Sequence, residues 1–277
     1  MAVQLNLFGE TAINPKLIWV DYTRRNDPST EYWANHLKEM LKTQGYPKVL
    51  MFWTKAPGTV AELYKDIVKD MQKNGTLVLA QVTYNGYGRE LEPGVTPDRV
   101  ELKPLVDLMG PSHIRLRLNP VIAGYTTQSH IERVLEAAKE HGIKRVHTEF
   151  IRLGYKDVEY KMSELCRQAR FNIHESSRKE KIDFLRDFVE QGRKYGVEIA
   201  GCAESNEENL YDEVEGLVRC GCSDKNWAET LKPEYKGIFR TRSCRPGCLC
   251  CYTDDWGEYS SRGAPLCKHS CIYCYAK

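Results

Sequence analysis

The chain ends in "CKHSCIYCYAK", where Cys267, Cys271 and Cys274 stand at C-x3-C-x2-C spacing and three residues follow the last of them. Thiolates in such a group select soft or borderline metals. Three of them would hold an iron-sulfur cluster and leave one iron open to an outside ligand. A zinc ion would want a fourth ligand, either His269 or a cysteine from upstream. The spacing admits both, as well as thiols that hold no metal. Cys244, Cys248, Cys250 and Cys251, with Cys220 and Cys222 in "CGC", supply enough sulfur for an auxiliary cluster or for a zinc ion that pins the tail. Of the chain's 11 cysteines these are nine. Cys166 and Cys202 read as buried small apolar residues, with Cys202 at a strand end.

Something must position these sulfurs. At 277 residues the chain is long enough for one large α/β domain or two small ones. Lys and Arg total 40 against 38 Asp and Glu, which excludes a global polyanion-binding field but not a local basic patch. The start, "MAVQLNLFGE", has no basic region or long apolar run, and no window approaches the roughly 18 apolar residues of a membrane span. The expectation is a cytoplasmic protein without membrane contact, where clustered cysteines bind metal more readily than they form disulfides.

Six short runs rich in apolar and β-branched residues recur at spacings of roughly 30 residues, which suits βα units. They are "LIWVDY" (17–22), "VLMFWT" (49–54), "LVLAQVTY" (77–84), "HIRLRL" (113–118), "RVHTEF" (145–150) and "VEIAGCA" (197–203). Helical periodicity lies between them, and Ser176 is the expected N-cap of the helix holding Ile182, Leu185 and Phe188. Six βα units predict a parallel sheet, either open and doubly wound or curved into a partial barrel. In both, functional residues gather at the C-terminal ends of the strands. Arg24, Arg25, Asp27, Lys55, Arg89, Arg117 and Arg152 lie in or beside those ends, and the recurring cations predict an anion-binding mouth.

The motif with Tyr273 just before its last cysteine resembles the signature of the radical S-adenosylmethionine (SAM) superfamily. The fuller "CKHSCIYCYA" is similar to the motif of spore photoproduct lyase and its relatives. The whole chain resembles an uncharacterised bacterial domain family with this motif at its C-terminus, through "TRRND", "VLMFWTKAP", "NGYGRELEPGV", "RLNPV", and Cys248 and Cys250 followed by Asp255, Gly257 and Tyr259. The resemblance implies an α/β fold: a partial (β/α)6 TIM-like barrel over 15–215, preceded by an N-terminal segment (1–14). A Cys-rich tail (216–277) would carry the Fe-S motif over the barrel mouth. It implies a [4Fe-4S] cluster on Cys267, Cys271 and Cys274 whose open iron chelates SAM. The usual cysteine loop after strand one is "DYTRRNDPS" here, without a cysteine, so the tail must fold back to deliver the cluster. "TKAP", with Thr54 and Lys55, stands where the superfamily contacts the SAM amino group, although the common Gly-Gly-Glu is missing. Arg117, Asn119 and Glu149 are candidates for its carboxylate and ribose, and Tyr273 for packing near its adenine. Such enzymes also need a reductant such as flavodoxin or ferredoxin.

Two segments bear on the substrate. "QLNLF" (Gln4–Phe8) looks like the pentapeptide that binds the bacterial sliding clamp, and 232–245 interleaves Lys232, Lys236, Arg240, Arg242 and Arg245 with Tyr235 and Phe239. Basic residues among aromatics suit phosphate neutralisation and base stacking. They point to DNA as partner and a nucleobase as substrate. The alternatives are radical chemistry on a small metabolite or peptide, and a zinc-stabilised nucleic-acid-binding module without catalysis.

Overall fold

The computed structural model describes residues 13–96, 100–154, 156–169, 171–241, 246–257 and 265–274. Its strands are β1 (Trp19–Tyr22), β2 (Val49–Thr54), β3 (Leu77–Thr83), β4 (Ile114–Val121), β5 (Arg145–Phe150), β6 (Glu198–Ala200) and β7 (Asp254–Trp256). The helices are α1 (Glu31–Gln44), α2 (Pro57–Lys73), α3 (Gly88–Leu91), α4 (Lys103–Met109), α5 (Gln128–Glu140), α6 (Lys156–Ala169), α7 (Arg178–Tyr195), α8 (Ala203–Glu207), α9 (Leu210–Glu213) and α10 (Lys225–Leu231). None is long and apolar enough to cross a membrane.

All seven strands are parallel, in the order β6-β5-β4-β3-β2-β1-β7. The first six follow the chain without a reversal. Because βαβ crossovers are right-handed, a sequential order puts every crossover helix on the same face of the sheet. A doubly wound sheet would reverse direction, so the order excludes it and is consistent with a TIM-like barrel.

The two faces of the sheet are therefore covered by different material. Val20, Tyr22, Leu50, Phe52, Val78 and Ala80 point into a core with Trp33, Leu37, Val60, Tyr64, Leu135, Leu185 and Phe188 of the crossover helices. The alternate residues Trp19, Val49, Met51, Trp53, Leu77 and Leu79 form a second core with Cys202, Cys222, Trp227, Tyr235, Cys250 and Cys251. Strand side chains alternate faces with period two, so one sequence of buried residues serves both cores. The Cys-rich segment is thus the filling of the sheet's second face as well as the carrier of the terminal motif.

That segment also supplies the seventh strand, which the six-unit reading missed. Val20, Asp21 and Tyr22 pair in register with Asp254, Asp255 and Trp256. "DDW" has two carboxylates in three residues and no apolar run, so it gives no strand signal. Buried Asp21 anchors the same region. Its carboxylate accepts from Trp19 Nε1 at 3.2 Å, from Ser223 Oγ at 3.3 Å and from Thr253 Oγ1 at 3.0 Å, and Arg24 Nη1 lies 3.2 Å away. Burial raises its pKa despite the guanidinium.

The N-cap of α7 is Ser177, one residue beyond Ser176: its hydroxyl accepts from Glu180 N, and the Glu180 carboxylate accepts from Ser177 N at 2.8 Å, a capping box. In the segment 232–241, Tyr235 is buried and donates to Gly75 O at 3.0 Å, while Phe239 packs edge-on against Trp19 at 5.4 Å. Both rings pack on the second core near the N-terminal ends of β1 and β3, Tyr235 buried and Phe239 half-buried. Arg242 and Arg245, like Gln4–Phe8, lie outside the described residues.

Candidate functional site

The tail returns to the C-terminal ends of β1, β2 and β3. Asn26 Nδ2 donates to Pro265 O at 3.2 Å, Gly94 N to His269 O at 2.9 Å and Ile272 N to Leu91 O at 2.9 Å. Gly94 has no room for a side chain: a Cβ there would lie 1.9 Å from Lys268 O and 2.7 Å from His269 Cα. Since both obstacles are backbone, Gly94→Val should push the tail off the loop after β3. An overpacking cost of roughly 1–3 kcal/mol is expected. Hydrogen exchange should show Ile272 N losing protection while β2 and β3 keep theirs; unchanged protection would contradict the docking.

Two buried carboxylates hold the tail in place. Asp27 is 4% exposed and accepts from Lys55 N at 2.7 Å, Ser29 N at 3.0 Å and Thr54 Oγ1 at 3.2 Å. His269 Nε2 stands 2.9 Å from Asp27 Oδ2 at ion-pair distance, although hydrogen-bond alignment is not met. Burial opposes the charge on Asp27, but His269 and these donors outweigh it and leave its pKa lowered. Glu92, 2% exposed, accepts from Lys55 Nζ at 2.7 Å, from Asn85 Nδ2 at 3.1 Å and from the Tyr273 hydroxyl. Lys55 Nζ also donates to Tyr273 OH at 2.8 Å, and Asn85 Nδ2 at 3.0 Å. Burial disfavours both charges, yet each is outweighed by its partner: the Lys55 pKa is raised and that of Glu92 lowered.

The thiols sit among these groups. Burial pushes Cys271 up to about 11 against the opposing pull of Lys55, and pushes Cys267 up to about 12 with Asp27 adding to the rise. Cys267 feels the charge of both Cys271 and Cys274, so the three share one environment. Both ring nitrogens of His269 face other groups, Nε2 toward Asp27 and Nδ1 toward Gly94 O at 3.4 Å. That disfavours His269 as a fourth zinc ligand. Among the described residues no group of three or more His, Cys, Asp or Glu side chains is drawn up in metal-holding geometry.

The other named residues divide. The Thr54 hydroxyl bonds Asp27 and Ala56 N, so Thr54 and Lys55 position the tail rather than present free groups. Arg117 stacks on Trp53 at 4.9 Å, with its Nε buried and unpartnered. Its neighbour on β4, Asn119, is tied to Asn85 through backbone N at 2.7 Å and O at 2.9 Å, and its Nδ2 donates to Glu149 Oε2 at 3.3 Å. Asn119, Asn85, Lys55 and Tyr273 therefore form one hydrogen-bonded patch that holds the last residues of the motif, and Arg117 stands two residues before Asn119 on β4. Arg25 and Arg89 are exposed, and Arg152 pairs with Glu207 at 3.4 Å on the far side of the sheet ends. With Arg24 on Asp21 and Lys55 on Glu92, the predicted anion-binding mouth is largely neutralised from within. Near Arg152 lies a cavity of about 460 Å³ lined by Glu175, Lys181, Glu204, Glu207 and Glu208 as well.

Glu92 and Asn85 are the site residues that sequence reasoning passed over. Both lie in "YNGYGRELEPGV" after β3, and Glu92 resembles any solvated loop charge until Lys55 is placed opposite it.

A sequential parallel sheet whose polar residues and returning thiols meet at the strand C-terminal ends defines an α/β protein of barrel-like class. The chain belongs to the family described as a domain of unknown function, DUF1848, whose profile matches residues 29–276. No curated protein matches it. Among solved structures it is similar to a GH20 exo-β-N-acetylglucosaminidase from Vibrio harveyi, at 11% identity over 90% of this chain and 45% of that one, with a TM-score of 0.33. A D-psicose 3-epimerase from Clostridium cellulolyticum H10 gives 8% identity over 73% and 62%, with a TM-score of 0.32. A citrate synthase, SbnG, gives 11% over 80% and 94%, with a TM-score of 0.27. The chain spans less than two thirds of the length of the first two.

Proposed function

We propose that the protein is a radical SAM enzyme whose terminal Cys267, Cys271 and Cys274 hold a [4Fe-4S] cluster. The observation that carries this reading is the tail itself: three thiols on one short loop, docked at the ends of β1–β3, with His269 engaged elsewhere. The donor set fits a cluster with one open iron. Bound there, the cluster and SAM supply reductive cleavage of the sulfonium to methionine and a 5′-deoxyadenosyl radical that takes a hydrogen atom from substrate.

The chain's own residues hold and orient. Asp27 fixes His269, and Lys55, Asn85 and Glu92 fix Tyr273, so the loop bearing the sulfurs is anchored on both sides of Cys271. Arg117, with its unpartnered Nε, is the group for the SAM carboxylate, and Asn119 with Glu149 the pair for ribose hydroxyls. A one-electron donor such as flavodoxin or ferredoxin is the implied partner. Anaerobic reconstitution should load about four irons on the motif, and dithionite should then yield 5′-deoxyadenosine from SAM. A protein that takes up no iron contradicts the reading.

For the substrate, a small polar molecule suits this mouth better than DNA. The cavity beside Arg152 sets Glu175, Glu204, Glu207 and Glu208 against two cations, and Tyr235 and Phe239 are packed in the core. Each phosphate contact on duplex DNA adds roughly 0.9 to the slope of log affinity against log salt. The expected titration shows no steep slope; tight binding that weakens sharply between low and physiological salt would restore DNA as substrate.

A further inference from the structure

β5 and β6 end at the cavity of about 460 Å³ whose lining includes Arg152, Glu175, Lys181, Glu204, Glu207 and Glu208. Three separate segments supply these charges. Arg152 follows β5, Glu175 and Lys181 flank the start of α7, and Glu204 and Glu207 belong to α8, which follows β6 and ends just before Glu208. The cavity thus lies at the same end of the sheet as the docked tail, the end at which folds of this class bind their substrates. Four carboxylates meet two cations there. Lys181 Nζ stands 2.5 Å from Glu204 Oε1 and 2.6 Å from Glu208 Oε1, so one ammonium serves two of them. Arg152 reaches Glu207 at 3.4 Å, and Glu175 Oε1 accepts from Leu153 N at 2.6 Å, a neutral donor. Burial holds Glu204 above its usual pKa in spite of Lys181, with Glu149 and Glu208 adding to the rise. The lining is therefore short of positive charge by two. Neither these carboxylates nor the cysteines of the second face are drawn up round a metal among the described residues, and Cys244 lies outside them.

We propose that this cavity binds a short aliphatic diamine, two primary ammonium groups joined by a carbon chain, and that such a dication is the substrate class of the enzyme proposed above. The role as substrate rests on that reading; the binding does not. A charge held away from bulk water needs a partner. Two ammonium groups match the excess of two carboxylates, and with a pKa near that of a lysine side chain, about 10.4, both are charged at neutral pH. Glu175 and Glu207, the carboxylates that Lys181 does not hold, stand on different segments, so a linear dication suits them better than one compact ion. Ile151, buried at the edge of the cavity, gives the carbon chain an apolar wall. The volume falls within the range of about 300–1,000 Å³ typical of small-ligand sites. An anion would face four carboxylates, with Lys181 already committed to two of them.

The test uses full-length protein with Cys267, Cys271 and Cys274 replaced by Ala, so that its outcome does not depend on the terminal cluster. The probe is 1,4-diaminobutane, titrated by calorimetry at neutral pH, with 1,4-butanediol as its uncharged counterpart and succinate as its anionic one. Saturable one-to-one binding of the diamine is expected, and none of the diol or of succinate. Adding Glu175→Gln and Glu207→Gln should weaken it at least about tenfold, since each change removes a charged hydrogen-bond acceptor. Adding Glu136→Gln, exposed on α5 and outside the cavity, should not. Because the paired variant could fail to fold, hydrogen exchange of the parent is the second readout: amides of 151–154 and α8 should slow with diamine and not with diol. A folded parent without saturable diamine binding overturns the site, as does equal binding of the diol or unchanged affinity in a folded paired variant. Diamine binding by a protein that, reconstituted with its cysteines intact, cleaves no SAM overturns the role as substrate alone, so the two failures are told apart.

Discussion

Replacing any one of Cys267, Cys271 or Cys274 with Ala should leave a folded protein that retains no cluster iron after anaerobic reconstitution and makes no detectable 5′-deoxyadenosine. Two thiolates cannot hold a cubane that three are needed to anchor, so the loss is all-or-none rather than graded. The fold should survive because the tail is bound mainly through its backbone, at Gly94–His269 and Leu91–Ile272, and through His269 and Tyr273. Cys166→Ala, in α6 and outside the terminal motif, is the matched control. Iron retained by a single variant would show that the terminal motif is not the ligand set.

Lys55→Met should be the most destabilising single change at the strand ends. It leaves Glu92, whose side chain is 3% exposed, without its cation, and it removes a donor to Tyr273. Breaking one side of a buried ion pair costs about 3–5 kcal/mol, because the remaining charge stays desolvated. The same principle predicts recovery: Lys55→Met with Glu92→Leu removes both charges and should cost much less than the two single changes summed. The double-mutant cycle by denaturant unfolding measures that coupling. Additive losses would mean that Lys55 and Glu92 act independently. If tail docking depends on the pair, the single variant should also bind iron less well while the double variant partly recovers.

The six strands were legible in the sequence because "VLMFWT" and "LVLAQVTY" are continuous apolar runs bounded by turn residues, as strands buried on both faces must be. β7 was not legible, since its stability comes from pairing with β1 and from Trp256 in the core rather than from its own pattern. At the site, the three cysteines announced themselves by spacing. The pairing of Asp27 with His269 did not, because 242 residues separate them and only tail docking brings them together. The packing of Tyr235 and Phe239 was hidden for a related reason: nothing in their own segment shows which sheet face it covers. Cys202 looked like a lone apolar residue, and its approach to Cys222, with 3.7 Å between the sulfurs, appears only once the loop after β6 meets "CGC".

Anomalous scattering at the iron edge, from crystals of anaerobically reconstituted protein with SAM, tests the central claim most directly. The account predicts an iron cluster bonded to Cys267, Cys271 and Cys274 at the C-terminal ends of β1–β3, with SAM lying between it and Arg117. No iron at those sulfurs, or iron there with SAM bound elsewhere, would contradict it.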